Sequence, residues 1–324
     1  MLTHLQAYLR YARHYEKLLR STTRLYRKGG HATLRALAML EVEWTNIQSG
    51  QAWAEAEMDN DNGAAQLCSN YADAGGYLLS LYLPLRERVR WLESAVAAAK
   101  RLGDRKAEGV HLGNLASAYT NLGDAQHAIE VFQERIAIAR ELGDEKGERS
   151  IGGNLGSAYY ALGDYKRAIE LYEKHLAYTR EIGKRLEEGH VLGNLGAAWR
   201  NLGDYDHALD YLQQNLTLAR EIGDLRGIGS ALNNLGIVFR KKGDPRRALE
   251  AFAERLSIAR ELGDYRGEGI TFFNACLAQY DLGNLDQAIA YAREALGILE
   301  RVGDPYADRA RRQLERLSKK SRPR

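Results

Sequence analysis

An all-α stack of antiparallel helix hairpins is what this sequence predicts, and three observations predict it. Eleven glycines recur every twenty residues, from Gly103 to Gly303. Asp follows nine of them, Lys184 and Asn284 being the exceptions. Between these markers apolar residues recur at helical spacing, with a full period of forty residues. Glycine takes the left-handed conformation just past a helix end, where a side chain would clash. Asp then accepts from the free amides that open the next helix. Each Gly-Asp is therefore one helix stop followed by one helix start.

From the N-terminus, the first element is a helix over about residues 3–27, with Leu5, Tyr8, Ala12, Tyr15 and Leu19 on one face, ending at Gly29-Gly30. A second helix spans about 31–58 and carries Trp44 and Trp53. Residues 1–62 form an N-terminal helical cap, which shields the first apolar face of a stack. Residues 63–102 are a degenerate hairpin: Gly76 sits forty residues before Ala116, and Pro84 replaces the turn glycine.

Residues 103–303 hold five whole repeats, each a helix A and a helix B. Helix A reads Leu112-Gly113-Asn114-Leu115-Ala116-Ser117-Ala118-Tyr119 in the first repeat. Helix B opens on a small residue each time, at Ala128, Ala168, Ala208, Ala248 and Ala288. Leu or Ile follows at the next position and recurs seven residues on, which marks one buried face. Residues 304–324 give a capping helix, with Leu314 and Leu317, and a basic tail.

The motif Asn154-Leu155-Gly156-x-Ala158-Tyr159, followed by Gly163-Asp164-Tyr165-x-x-Ala168-Ile169, strongly resembles the tetratricopeptide repeat (TPR). The forty-residue length is similar to the subtype of Leu-Gly-Asn-repeat proteins, kinesin light chains and the sensor arms of bacterial signalling (STAND) ATPases. The resemblance implies a right-handed superhelical solenoid whose A helices line the concave side. One departure lies late in helix B, where the usual small residue is Arg135, His175, Asn215, Arg255 and Ala295. A second resemblance is carried by Leu40-Glu41-x-Glu43-Trp44-x-Asn46-Ile47 through Trp53-Ala54. It looks like the segment that joins an ATPase core to a repeat array.

Composition bounds the function. The formal charge is +3, but residues 310–324 hold seven Lys or Arg against one Glu, so the remainder sums to −3. A mildly acidic array offers no continuous track for nucleic acid. No apolar run reaches the length of a membrane span, and Arg10 and Arg13 interrupt any signal-peptide core. A cytoplasmic location follows as the expectation, with Cys68 and Cys276 reduced and inert. No histidine spacing suits zinc, no nucleophile motif occurs, and the glycines do not form a phosphate loop. No catalytic residue, cofactor or metal is expected.

The expected function is a non-enzymatic scaffold that binds a protein segment in the concave groove. A helix interior does not favour asparagine. Yet Asn114, Asn154, Asn194, Asn234 and Asn274 fill one column of helix A. A side-chain amide both donates and accepts, so it can clamp a peptide backbone; related repeat proteins use this position so, and holding a neighbouring helix is the alternative role. Gly113, Gly153 and Gly193 form a second column, for which close approach of a ligand is one account and inherited repeat sequence another. Tyr160, Arg200, Arg240 and Lys241, with His190, vary from repeat to repeat and would select a partner bearing acidic residues. A sensor arm and a self-assembly module are the alternatives; the sequence leaves the oligomeric state open.

Overall fold

The computed structural model describes residues 3–321, with Tyr77 and Ser321 defined by backbone alone. The last three residues of the basic tail therefore lie outside the described residues. Fifteen α-helices and no strand occur among those described. In order they are α1 (His4–Tyr26), α2 (His31–Glu57), α3 (Asn62–Tyr82), α4 (Leu85–Leu102), α5 (Arg105–Leu122), α6 (Ala125–Glu141), α7 (Glu145–Leu162) and α8 (Tyr165–Glu181). Then come α9 (Arg185–Leu202), α10 (Tyr205–Ile222), α11 (Leu225–Lys241), α12 (Pro245–Glu261), α13 (Tyr265–Asp281), α14 (Leu285–Arg301) and α15 (Ala307–Ser321).

The punctuation works as a matched stop and start. All eleven periodic glycines have positive φ, from 64° to 91°. At the first, Gly103 N–H donates to Lys100 O at 3.1 Å and Asp104 N–H donates to Ala99 O at 3.0 Å, so the last carbonyls of α4 are satisfied. The carboxylate of Asp104 accepts from Ala107 N–H at 2.9 Å and opens α5. Asp124, Asp144, Asp164, Asp204, Asp244 and Asp264 cap their helices the same way. Asp224 keeps the sequence pattern but makes no side-chain cap bond.

The helices gather into two compact units, Met1–Gly163 and Asp164–Arg324. In the first, α1 and α2 form a hairpin against α3. Ala12, Leu19, Leu40, Ile47, Ala54, Tyr71 and Leu78 are its buried core, closed by Trp91 from α4. The Tyr71 hydroxyl donates to Ala12 O at 2.7 Å; a Cβ on Gly50 would lie 2.2 Å from that hydroxyl, so Gly50 is needed for this crossing. Leu40, Ile47 and Ala54 thus line the inner face of α2. The motif that resembles an ATPase joint has a packing role here, as a cap requires. Leu5 and Tyr8 lie off the buried side of α1, each 40% exposed.

Residue 76 departs from the repeat. Its alignment with Ala116 predicts a place where helices pack. Instead Gly76 has φ 44° and ψ −123°, and it breaks α3. Only glycine takes this backbone geometry without strain.

In the second unit, α9 and α10, α11 and α12, and α13 and α14 are antiparallel hairpins. Helix A packs on helix A of the next repeat: α11 touches both α9 and α13. A Cβ on Gly196 would come 2.5 Å from Leu212 Cδ2, and one on Gly236 would come 2.4 Å from Phe252 Cε1. These glycines bring the two helices of a hairpin together. α15 covers the last repeat, with Leu317 fully buried against Cys276, Ala288, Ile289 and Ala292.

Candidate functional site

The asparagine column divides into two groups. Asn114 on α5, Asn154 on α7 and Asn194 on α9 are exposed, and their amides carry no hydrogen bond among the described residues. Asn234 and Asn274 are half-buried and engaged. Asn234 accepts from Arg200 Nη1 and donates to Ser230 O at 3.1 Å. Asn274 donates to Asn233 Oδ1 at 3.0 Å. The last two thus tie neighbouring A helices together, whereas the first three offer both a donor and an acceptor to solvent.

The predicted cations differ in the same way. Arg240 Nη1 donates to Asp281 Oδ2 at 2.9 Å, so its charge is met inside the protein. Arg200 bonds only the amides of Asn234 and Asn201 and keeps an unneutralised charge. Lys241 and His190 are exposed and unpartnered among the described residues. Within the second unit the structure links Arg200 with Asn234 and Arg240 with Asp281; it bonds neither Lys241 nor His190 to them. Tyr160 lies half-buried on α7, in the first unit. Tyr280 is not free: Lys320 of α15 donates to its hydroxyl and lies 4.9 Å from the ring, which holds the phenol below its usual pKa.

The second column is crowded at one place. A Cβ on Gly193 would meet Asn215 Nδ2 at 2.9 Å, so packing accounts for that glycine; one on Gly113 would lie 3.8 Å from Arg135 Nε, an ordinary contact that does not require glycine. Two equivalents of Arg135 and Asn215 late in helix B reach on to the next helix start: His175 bonds Glu187 at 3.1 Å, and Arg255 bonds Asp264 at 2.5 Å. His175 and Arg255 thus brace one hairpin against the next, whereas the equivalent residue of the last repeat is Ala295. The sequence marked this column as irregular without showing what it touches.

In three repeats the third residue of helix B lies against an aromatic ring of helix A. His127 stacks on Tyr119 at 5.6 Å, His207 on Trp199 at 4.6 Å, and Arg247 lies 4.0 Å over Phe239. A concavity of about 550 Å³ in the second unit is lined by residues that include Arg180, Arg185, Glu188 and Glu221. Its cations are already paired, Arg180 with Glu188 and Arg185 with Glu221, and it includes none of the predicted groove residues.

No group of three His, Cys, Asp or Glu among the described residues is placed to hold a metal. No described helix is long and apolar enough to cross a membrane. Burial pushes the Cys68 thiol up to about 12 and the Cys276 thiol up to about 11, away from nucleophilic use.

The family description "Tetratricopeptide repeat" matches residues 112–146 and, in overlapping segments, 149–221, 191–261 and 227–301. More than half of the chain is matched, and it belongs to the tetratricopeptide repeat family. No curated protein matches the sequence. Among solved structures, BtubC (BKLC) from P. vanneervenii is 22% identical with a TM-score of 0.58, over 68% of this chain and 93% of that one. A STAND protein with a tetratricopeptide repeat sensor from Pyrococcus horikoshii is 18% identical with a TM-score of 0.63, over 96% of this chain and 48% of that one. A Rap protein complexed with competence and sporulation factor is 12% identical with a TM-score of 0.56, over 95% of this chain and 98% of that one. These likenesses concern the fold. Such a fold stacks repeats into an extended surface suited to protein partners.

Proposed function

We propose that the protein is an interaction scaffold, each of whose units holds a partner segment along its own A helices. The observation that carries this reading is the set of unbonded amides at Asn114, Asn154 and Asn194. Each sits exposed at one repeat position, inside a helix that its residue type disfavours. A bare side-chain amide can take both backbone groups of a passing peptide, whatever its sequence. Arg200, Lys241 and His190 then give a preference for acidic side chains, with Arg200 the best placed because its flat guanidinium can hold a carboxylate by two bonds. Arg240 contributes less, since Asp281 already meets its charge.

A displayed library of random peptides tests this. The native chain should enrich acidic peptides; Asn194→Ala with Arg200→Glu should lose them while its melting curve stays close to native. Loss of the asparagine or the charge alone should weaken capture by roughly tenfold, the range of one charge-assisted hydrogen bond. Equal enrichment by native chain and variant would overturn the reading.

A second reading rests on the fold comparison. The match to the STAND protein runs over 96% of this chain, so it takes in the N-terminal helices as well as the repeats. On that reading the chain is a ligand-sensing arm of a signalling ATPase. Sequencing the parent gene upstream of Met1 decides it: a continuous frame with a phosphate-binding loop supports the arm, and its absence removes the idea.

A further inference from the structure

Beside the break at Gly76 lies a cavity of about 540 Å³ in the first unit. Arg27, at the end of α1, and Arg88, in the first turn of α4, both line it. Arg27 reaches it over bare backbone: its Nη2 lies 3.5 Å from where a Gly76 Cβ would stand. The end of α1 is held there by Thr23, whose hydroxyl donates to Gly75 O at 3.3 Å. Neither guanidinium makes an ion pair or a side-chain hydrogen bond among the described residues. Arg105, by contrast, is met by Glu108 and Glu141, whereas no carboxylate lines this cavity. Asn114 and Asn121 add two free amides on one side, and Leu79 and Trp91 supply an apolar wall.

We propose that this cavity binds a small organic anion, its carboxylate or phosphate held between Arg27 and Arg88 and its apolar body against Leu79 and Trp91. Two guanidinium groups lining one cavity with no carboxylate between them favour an anion there, and both carboxylate and phosphate offer the paired oxygens a guanidinium takes. Burial lowers the pKa of Arg88, as expected of a cation partly withdrawn from water with no carboxylate beside it. Asn114 and Asn121 would hold polar atoms next to the anionic group. The site does not depend on the peptide surface proposed above, apart from its shared Asn114.

Calorimetric titration of the full chain, in a chloride buffer of fixed ionic strength, tests the proposal. The probes are inorganic phosphate, succinate and N-acetyl-leucine, used separately. At least one should bind saturably. Arg27→Gln should weaken that binding at least tenfold, and Arg27→Gln with Arg88→Gln should abolish it; Arg246→Gln, exposed on α12 in the second unit, should leave it unchanged. Binding of phosphate alone assigns the ligand a phosphate; binding of succinate or N-acetyl-leucine alone assigns it a carboxylate. Arg27 and Asn121 are exposed, so Arg27→Gln and Asn121→Ala keep the test valid if the double variant fails to fold. No saturable binding of any probe, or equal binding by native chain and Arg27→Gln, would overturn the proposal.

Discussion

His111 shows how one side chain sets a pH limit on the fold. Its ring is wholly buried on α5; Ser69 Oγ lies 2.8 Å from Nε2 and Asp73 Oδ1 lies 3.6 Å from Nδ1. Burial holds the imidazole below its ordinary pKa, and the Asp73 and Asp104 carboxylates oppose that shift only in part. The unfolded chain takes up a proton as pH falls through about 6.5, while the folded chain stays neutral until lower pH. Stability is therefore full above that value and declines as pH drops from it towards the folded pKa. Denaturant titrations at about pH 7.5 and about pH 5.5 should show a loss for the native chain that His111→Gln largely removes. An equal loss in both would show that His111 is not the group responsible.

At the scale of the element, one hairpin depends on small residues where its helices cross. Gly236 admits the Phe252 ring, which is 1% exposed and which an added methyl would strike. Gly236→Ala forces that ring to move and should destabilise by about 1–3 kcal/mol, the usual cost of overpacking a core. Helix propensity works the other way, favouring alanine by roughly 0.5–1 kcal/mol. A more stable variant in a thermal melt would mean that Phe252 has room to turn. The turns are robust by comparison. Each is held by backbone bonds, and Lys184, Asp224 and Asn284 open helices with no side-chain cap bond.

At the scale of the whole stack, each repeat buries apolar surface against its neighbours; α1 and α2 pack on α3, and α15 packs on the repeat before it. α15 combines Leu317, fully buried, with a basic outer face; Arg311 is paired with Glu300 and Asp308. A chain stopped after Gly303 would expose Cys276, Ala288, Ile289 and Ala292. Its Cys276 should react with an alkylating reagent many times faster than in the full chain, while Cys68, in the first unit, should be unaffected. Unchanged Cys276 labelling would mean that α15 does not shield the last repeat.

The sequence by itself determined the helices, their order and their ends. Those features come from local chemistry: a left-handed glycine, an Asp that caps, and an apolar stripe are all set by residues a few positions apart. It also marked the asparagine column, because identical repeats make a fixed position visible. Only the tertiary structure decided which of those asparagines are free. Asn234 and Asn274 are spent on Arg200, Ser230 and Asn233, and all but Ser230 lie on a neighbouring helix, 34 or 41 residues away. Tertiary packing likewise set Asn215 against Gly193. It also met the charge of Arg240 with Asp281 and turned Gly76 from a packing residue into a helix break. The pairing of Arg27 with Arg88 across a cavity had no sequence signal, since the two lie in different helices outside the regular repeats. Periodicity reports which face of a helix is buried; which side chains meet across that face depends on distances that only the folded chain sets.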